Sequence, residues 1–424
     1  MRWLVVSPYL PHARIGHGGG TAVLQVCQAL ARVHETSLLC FRRESEMGLE
    51  SELEAAGVKV HTVGFRSDQA RGASRLPLVV DRVGRVIAAR RHGRPLMVEK
   101  YDRQEMHRAL DECLGTFQPD VVQVEYGFMA PYASHSRGVA RAPHVILNTH
   151  ELGSLVRLRR AAVAADSLAR RRHGADVARW ARHEAGFGVA ADTITCVTEQ
   201  DRTVLAALTD PARLITMPLG TDVASLPTTA PGDAPSPPHL LFVGSFRHPP
   251  NVEGMRIFLE RDFGRILEAQ KDVVLDVVGA DLPDSLRSVA APFGRSVVFH
   301  GFVDDLAACF DRASVFVVPL VSGGGIKIKV LEAMGRGAAV VSTPIGLEGI
   351  DDAGQASRRV TGGDDFATAV LELLDDDATR ADLGARARTW IEKGFGWDAI
   401  VRRLTERVQS SSQARQGGTG RSNP

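Results

Sequence analysis

Cysteine is scarce, with five in 424 residues: Cys27, Cys40, Cys113, Cys196 and Cys309. They are widely spaced and form no CxxC pair or Cys/His cluster at zinc spacing, which excludes a disulfide framework and structural zinc. Each sits in an apolar stretch and reads as a small buried hydrophobe. No apolar run approaches the ~20 residues that cross a bilayer. Met1–Pro11 lacks the longer apolar core and small-residue cleavage site of a signal peptide. The expectation is a soluble, intracellular protein. An excess of one charge is also missing: 51 basic residues face 50 acidic ones. That excludes a strongly basic nucleic-acid binder and an acidic disordered chain. Lysine is the rarer cation, six residues beside 45 arginines, and two of the six are Lys327 and Lys329.

What is present is a globular composition, 44% apolar with 41 Gly, at a length that suggests two domains. Short β-branched runs alternate with helical patterns. Trp3–Ser7, Thr36–Phe41, Val58–Val63, Asp120–Glu125, His144–Asn148 and Thr193–Val197 read as strands. Several are continuously apolar, as parallel strands covered on both faces should be. The Pro/Gly/Ser/Thr-rich run 226–238 reads as a linker. The alternation then restarts with His239–Val243, Val273–Val278, Ser296–Phe299, Val315–Pro319 and Ala338–Ser342. The pattern predicts an α/β protein of two doubly wound domains, 1–225 and 239–396, facing across a cleft. Ligands should sit beyond the carboxyl ends of the strands. The run 410–424 reads as a disordered tail. Residues 1–225 carry 29 basic and 24 acidic residues; the rest of the chain carries 22 and 26. The basic excess lies in Arg66–Arg103 and Leu155–His183. Both stretches suit solvated helix faces, an anionic acceptor or an anionic membrane surface.

Two glycine-rich stretches follow strands. The first strand leads to Gly16, Gly18, Gly19 and Gly20 and a helix from about Thr21, a ligand-facing loop at a helix N-terminus. It gives no GxGxxG in register, so a dinucleotide reading fails. The strand at Val315–Pro319 leads to Gly323, Gly324, Gly325, Ile326, Lys327 and Lys329, an anion cradle suited to a diphosphate. Lysines in a first helical turn oppose the helix dipole and make sense if an anion binds there. Glu332, one turn on, can accept two hydrogen bonds from a ribose diol.

The run GGGIKIKVLEAMGRGAAVVST resembles the donor-site motif of GT-B retaining glycosyltransferases of the GT4-type group. Supporting matches follow in order: the first glycine loop, His150 in NTHELG, CVTEQDR, PLGTD, FVGSFRHPPN and HGFVDDLAACFDRASVFVVPL. The resemblance implies two Rossmann-like domains, with the nucleotide on the second and a final helix, 397–409, packing back on the first. It places Glu332 on the donor ribose and the loop Gly301, Phe302 and Val303 around the base. Gly323–Gly325 would face the diphosphate and sugar, His150 would lie near the reacting sugar, and Gly18–Gly20 would close over the phosphate or acceptor. Glu125 and Glu151 are candidates to orient the acceptor.

Two positions depart from the family pattern. Gly324 stands where many members have an acid, and Ser245 stands where many have an arginine, in the loop Gly244–Asn251. The phosphate charge is therefore expected to have moved to Arg247, Lys327 and Lys329. The resemblance implies transfer of a sugar from a UDP- or GDP-sugar to an acceptor that is a sugar, a lipid-linked group or a small molecule. No cofactor, metal or nucleic acid is expected. A nucleotide-sugar 2-epimerase or hydrolase, or a non-catalytic nucleotide-sugar-binding subunit, are the alternatives the two departures leave open.

Overall fold

The apolar strands pair in parallel, as continuously buried runs should. In the computed structural model the described residues are 1–15, 18–65, 75–163, 167–228, 237–350, 354–361 and 365–418. Gly16, most of the expected linker and the last six residues lie outside them.

The chain divides into two compact units, one of residues 1–15, 19–218 and 400–424, the other of 16–18 and 219–399. The first holds β1 (Arg2–Ser7), β2 (Glu35–Arg42), β3 (Lys59–Gly64), β4 (Val121–Glu125), β5 (His144–Asn148), β6 (Thr193–Cys196) and β7 (Leu214–Thr216), in the order β3-β2-β1-β4-β5-β6-β7. The second holds β8 (His239–Val243), β9 (Val274–Val278), β10 (Val297–Gly301), β11 (Ala313–Val318), β12 (Val340–Ser342) and β13 (Arg358–Arg359), in the order β10-β9-β8-β11-β12-β13. Every pairing is parallel. Both sheets have the doubly wound order, which reverses between β1 and β4 and between β8 and β11. β7 and β13 are the strands the sequence pattern missed, being three and two residues long.

Each sheet is covered on both faces. Trp3, Leu4, Val5 and Val6 have no exposed surface, and neither do Val315, Phe316, Val317 and Val318. Boundaries shift at three helices. The helix after β1 spans Gly18–Ala31, so the glycines form its first turn rather than a preceding loop. The helix after β11 begins at Ile328, leaving Gly323–Gly325 in the loop. The final helix spans Trp397–Gly418, past the expected start of a disordered tail at 410; Gln-, Ser- and Arg-rich residues there impose no helix break. Its residues from Ile400 on belong to the first unit, where Thr405 Oγ1 meets His34 Nε2 at 2.9 Å. Among the described residues no helix is long and apolar enough to cross a membrane.

Candidate active site

In the second unit, three loops meet at the carboxyl end of the sheet. Gly244 N–H donates to Val278 O at 2.9 Å, Phe246 N–H to Ala280 O at 2.9 Å, and Gly279 N–H to Gly301 O at 2.7 Å. These bonds tie the loop after β8 to the end of β9, and the end of β9 to that of β10. The helix Pro249–Phe258 follows, and its Asn251 donates from Nδ2 to Ser245 O at 2.7 Å, closing that loop.

Lys329 comes to the same place from the other side of the switch point. Its Nζ donates to Asn251 Oδ1 at 2.9 Å and lies 4.2 Å from the centre of the Phe242 ring. A Cβ on Gly244 would stand 2.9 Å from that Nζ and 2.8 Å from Asn251 Nδ2, so only glycine leaves the ammonium its space. Desolvation, and after it the neighbouring Lys327 charge, pulls the Lys329 pKa down to about 7. The loop ahead of it turns through Gly323 and Gly325 at φ 115° and 70°, values that favour glycine.

The other two expected phosphate cations are paired differently. Lys327 caps the helix, donates to Gly325 O at 2.5 Å and pairs with Glu348 at 3.4 Å. Arg247 pairs with Asp281 at 2.7 Å, its side chain 78% exposed. Glu332 is held by Arg336, which donates from Nη2 and Nε to Oε1 at 3.0 and 3.2 Å. The Arg336 guanidinium lies over Phe310 at 4.9 Å. This leaves Glu332 Oε2 facing no donor among the described residues. Gly301 ends β10 at φ 69°, and Phe302 after it is exposed. Gly323 and Gly324 are exposed and Ile326 is buried.

In the first unit the carboxyl ends of β4 and β5 carry a second cluster. Glu125, with no exposed surface, accepts from Gln123 Nε2 at 2.5 Å and Asn148 Nδ2 at 3.0 Å, and His150 Nε2 lies 2.5 Å from its Oε2. Full burial turns this expected acceptor-orienting carboxylate toward its neighbours at the sheet end. Glu151 is exposed beside it. His150 stacks on Tyr126 with ring centres 3.9 Å apart, and the Tyr126 hydroxyl meets that of Tyr9. Both His150 and Tyr126 have left-handed backbones, φ 56° and 72°. Such backbones are uncommon in bulky residues, and here they stand at the ends of adjacent strands. Gly19 packs under Tyr126, where a Cβ would stand 2.1 Å from the hydroxyl. The sequence signalled His150 but not Tyr9, Tyr126, Asn148, Arg336 or Glu348. Only the spacing of polar residues at strand ends, Gln123, Glu125, Asn148 and His150, hinted at the network.

Among the described residues no three His, Cys, Asp or Glu side chains gather as a metal site requires. All five cysteines are buried and free, and burial pushes the Cys113 and Cys196 thiols up to about 11 and 12, which leaves them unreactive.

The family model described as Glycosyl transferases group 1 matches residues 237–376, the segment that holds Lys329 and Glu332. A phosphatidyl-myo-inositol mannosyltransferase of Mycolicibacterium smegmatis is 29% identical over 212 residues, 47% of this chain and 53% of that protein. A D-inositol 3-phosphate glycosyltransferase of Kineococcus radiotolerans is 28% identical over 272 residues, 54% of this chain and 60% of that one. The chain thus spans about half the length of the curated relatives it matches. Among solved structures, a sucrose-phosphate synthase from Thermosynechococcus elongatus aligns over 98% of this chain and 100% of its own, at TM-score 0.69 and 17% identity. Anabaena HepE in complex with UDP and glucose aligns over 96% and 99%, at TM-score 0.64 and 12% identity. These two likenesses concern the fold. Residues 237–376 thus match the glycosyl transferases group 1 model, and the chain has the two-domain α/β fold of GT-B glycosyltransferases.

Proposed function

We propose that this protein moves a sugar from a UDP- or GDP-sugar to a hydroxyl of an acceptor, with retention at the anomeric carbon and with cations rather than a metal neutralising the diphosphate. The observation that carries this reading is Lys329: an ammonium held between the β8 loop and Asn251, in a pocket that depresses its pKa, is poised for an anion. The bond from the anomeric carbon to the diphosphate oxygen breaks, and its electron pair stays on that oxygen. The acceptor oxygen bonds to the same face of the carbon, and its proton passes to the departing oxygen. Lys329 and the Gly323–Gly325 backbone stabilise the charge as it develops. Glu332, anchored by Arg336, receives the ribose hydroxyls through Oε2. The Gly301–Val303 loop takes the base, and His150 meets the sugar. Gly18–Gly20 take the donor phosphate or the acceptor.

Relatives named as mannosyltransferases of phosphatidyl-myo-inositol support a polyol or lipid-linked acceptor in glycoconjugate or polysaccharide assembly. One is named GDP-mannose-dependent. Peripheral contact with an anionic membrane face, at the cytoplasmic side, is part of the proposal. The helices Gly153–Val163 and Ser167–Ala185 support it, with their arginines and the exposed Leu158 and Leu168.

The reading is tested by thermal stabilisation with nucleoside diphosphates and their sugars, with and without EDTA. One nucleotide class should stabilise, by about 2.7 kcal/mol at 100 times its dissociation constant, and EDTA should change nothing. No response to any nucleotide would sink it. Glu332→Ala should weaken nucleoside diphosphate binding by roughly 10–100-fold, the worth of charge-assisted hydrogen bonds to a diol. Competition by inorganic pyrophosphate should be unchanged, and an equal loss for pyrophosphate would remove the ribose role.

A further inference from the structure

The donor and acceptor roles around Glu125 are forced from one end of the network. The indole N–H of Trp3 can only donate, and it donates to Gln123 Oε1 at 3.1 Å. That turns the Gln123 amide so that Nε2 donates to Glu125 Oε1. Asn148 Nδ2 donates to Oε2, and His150 Nε2 lies 2.5 Å from the same oxygen. A carboxylate surrounded by N–H groups is satisfied only as an acceptor. The nitrogen of an imidazole that carries the proton is set by the partner of the other. An Nε2–H held on Glu125 leaves His150 Nδ1 as a bare acceptor. His150 is 8% exposed, and Nδ1 meets no partner among the described residues. Stacking on Tyr126, within 6° of parallel, holds the plane of the ring, and a ring turned over in that plane would lose its nitrogen contact with Glu125.

We propose that Glu125 is a positioning residue that locks His150 in the Nε2–H tautomer, so that Nδ1 accepts a hydrogen bond from a hydroxyl of the bound sugar. The sugar hydroxyl rests on the transfer reading above; the tautomer lock does not. Glu125 touches no substrate and acts through His150. An amide in its place has one oxygen for three neighbouring nitrogens, so its hold on Nε2–H weakens and the other tautomer, with Nε2 accepting and Nδ1 donating, gains population.

The test reads the tautomer directly, by long-range proton–nitrogen NMR of histidine-labelled protein, with His150→Gln assigning the signal. Wild type should show protonated Nε2 and unprotonated Nδ1, and Glu125→Gln should shift the population toward protonated Nδ1. With the nucleotide sugar that the thermal panel identifies, Glu125→Gln should lower kcat by about tenfold or more, with donor KM within about twofold. In a His150→Ala background the same change should cost less than about twofold. Wild-type His150 protonated on Nδ1 would overturn the proposal. So would an unchanged tautomer in Glu125→Gln, or an equal loss in both backgrounds. If Glu125→Gln does not fold, the wild-type tautomer decides. If no nucleotide sugar is turned over, the transfer reading fails and the NMR result still settles the lock.

Discussion

Lys329→Glu should lower turnover by roughly a thousandfold or more and leave the fold intact. Its ammonium sits 2.9 Å from Asn251 Oδ1 at the β8 loop, where a carboxylate would repel a diphosphate instead of stabilising its departure. Near-normal kcat/KM in a variant with wild-type circular dichroism would remove Lys329 from the mechanism. Lys329→Met separates binding from stability. The ammonium is held at a pKa of about 7 against an ordinary 10.5, a cost on the order of 4 kcal/mol near neutral pH. Methionine removes that cost, partly offset by an Asn251 oxygen left without its donor. The variant should therefore unfold at higher temperature and bind nucleoside diphosphate weakly. Lower stability together with weak binding would mean that Lys329 serves the fold.

Donor affinity should fall as pH rises above about 7, approaching tenfold per unit. In the unliganded protein Lys329 loses its proton near pH 7. A diphosphate beside it favours the charged form, so binding above that pH must take up a proton. Below about pH 6 the lysine is already charged and affinity levels off. Stability carries the opposite sign. Between pH 7 and 10.5 the unfolded chain binds more protons at this lysine than the folded one does, so its contribution to stability rises across that window. Calorimetry of nucleoside diphosphate binding in buffers of different ionisation enthalpy measures the proton uptake. A flat affinity from pH 6 to 9, or one unchanged in slope by Lys329→Met, would assign the diphosphate to other groups.

The α/β class, the two arrays and most of the strands are legible in the amino-acid order alone. The reason is that strands buried on both faces must be continuously apolar, a local property visible in runs such as Trp3–Val6 and Val315–Val318. It also determined that Lys329, Glu332 and His150 follow strands, because a doubly wound sheet puts its ligands there. The short β7 and β13 escaped because two or three residues carry no period. Helix starts at Gly18 and Ile328 escaped because glycine is a poor helix former and lysines in a first turn oppose the helix dipole.

The partner of each polar group emerges with folding, since a side chain's partner is chosen in space. Lys327, Lys329 and Arg247 look alike as cations near a glycine loop. Folded, one pairs with Glu348, one sits on Asn251 and one reaches Asp281 across solvent. Glu125 reads as a carboxylate at the end of a strand. Burial, the two amide donors of β4 and β5 and the imidazole in the loop after β5 turn it inward to His150. Chain proximity fixes elements of one period, whereas hydrogen-bond partners 25 to 120 residues apart depend on the packing that brings their strands together.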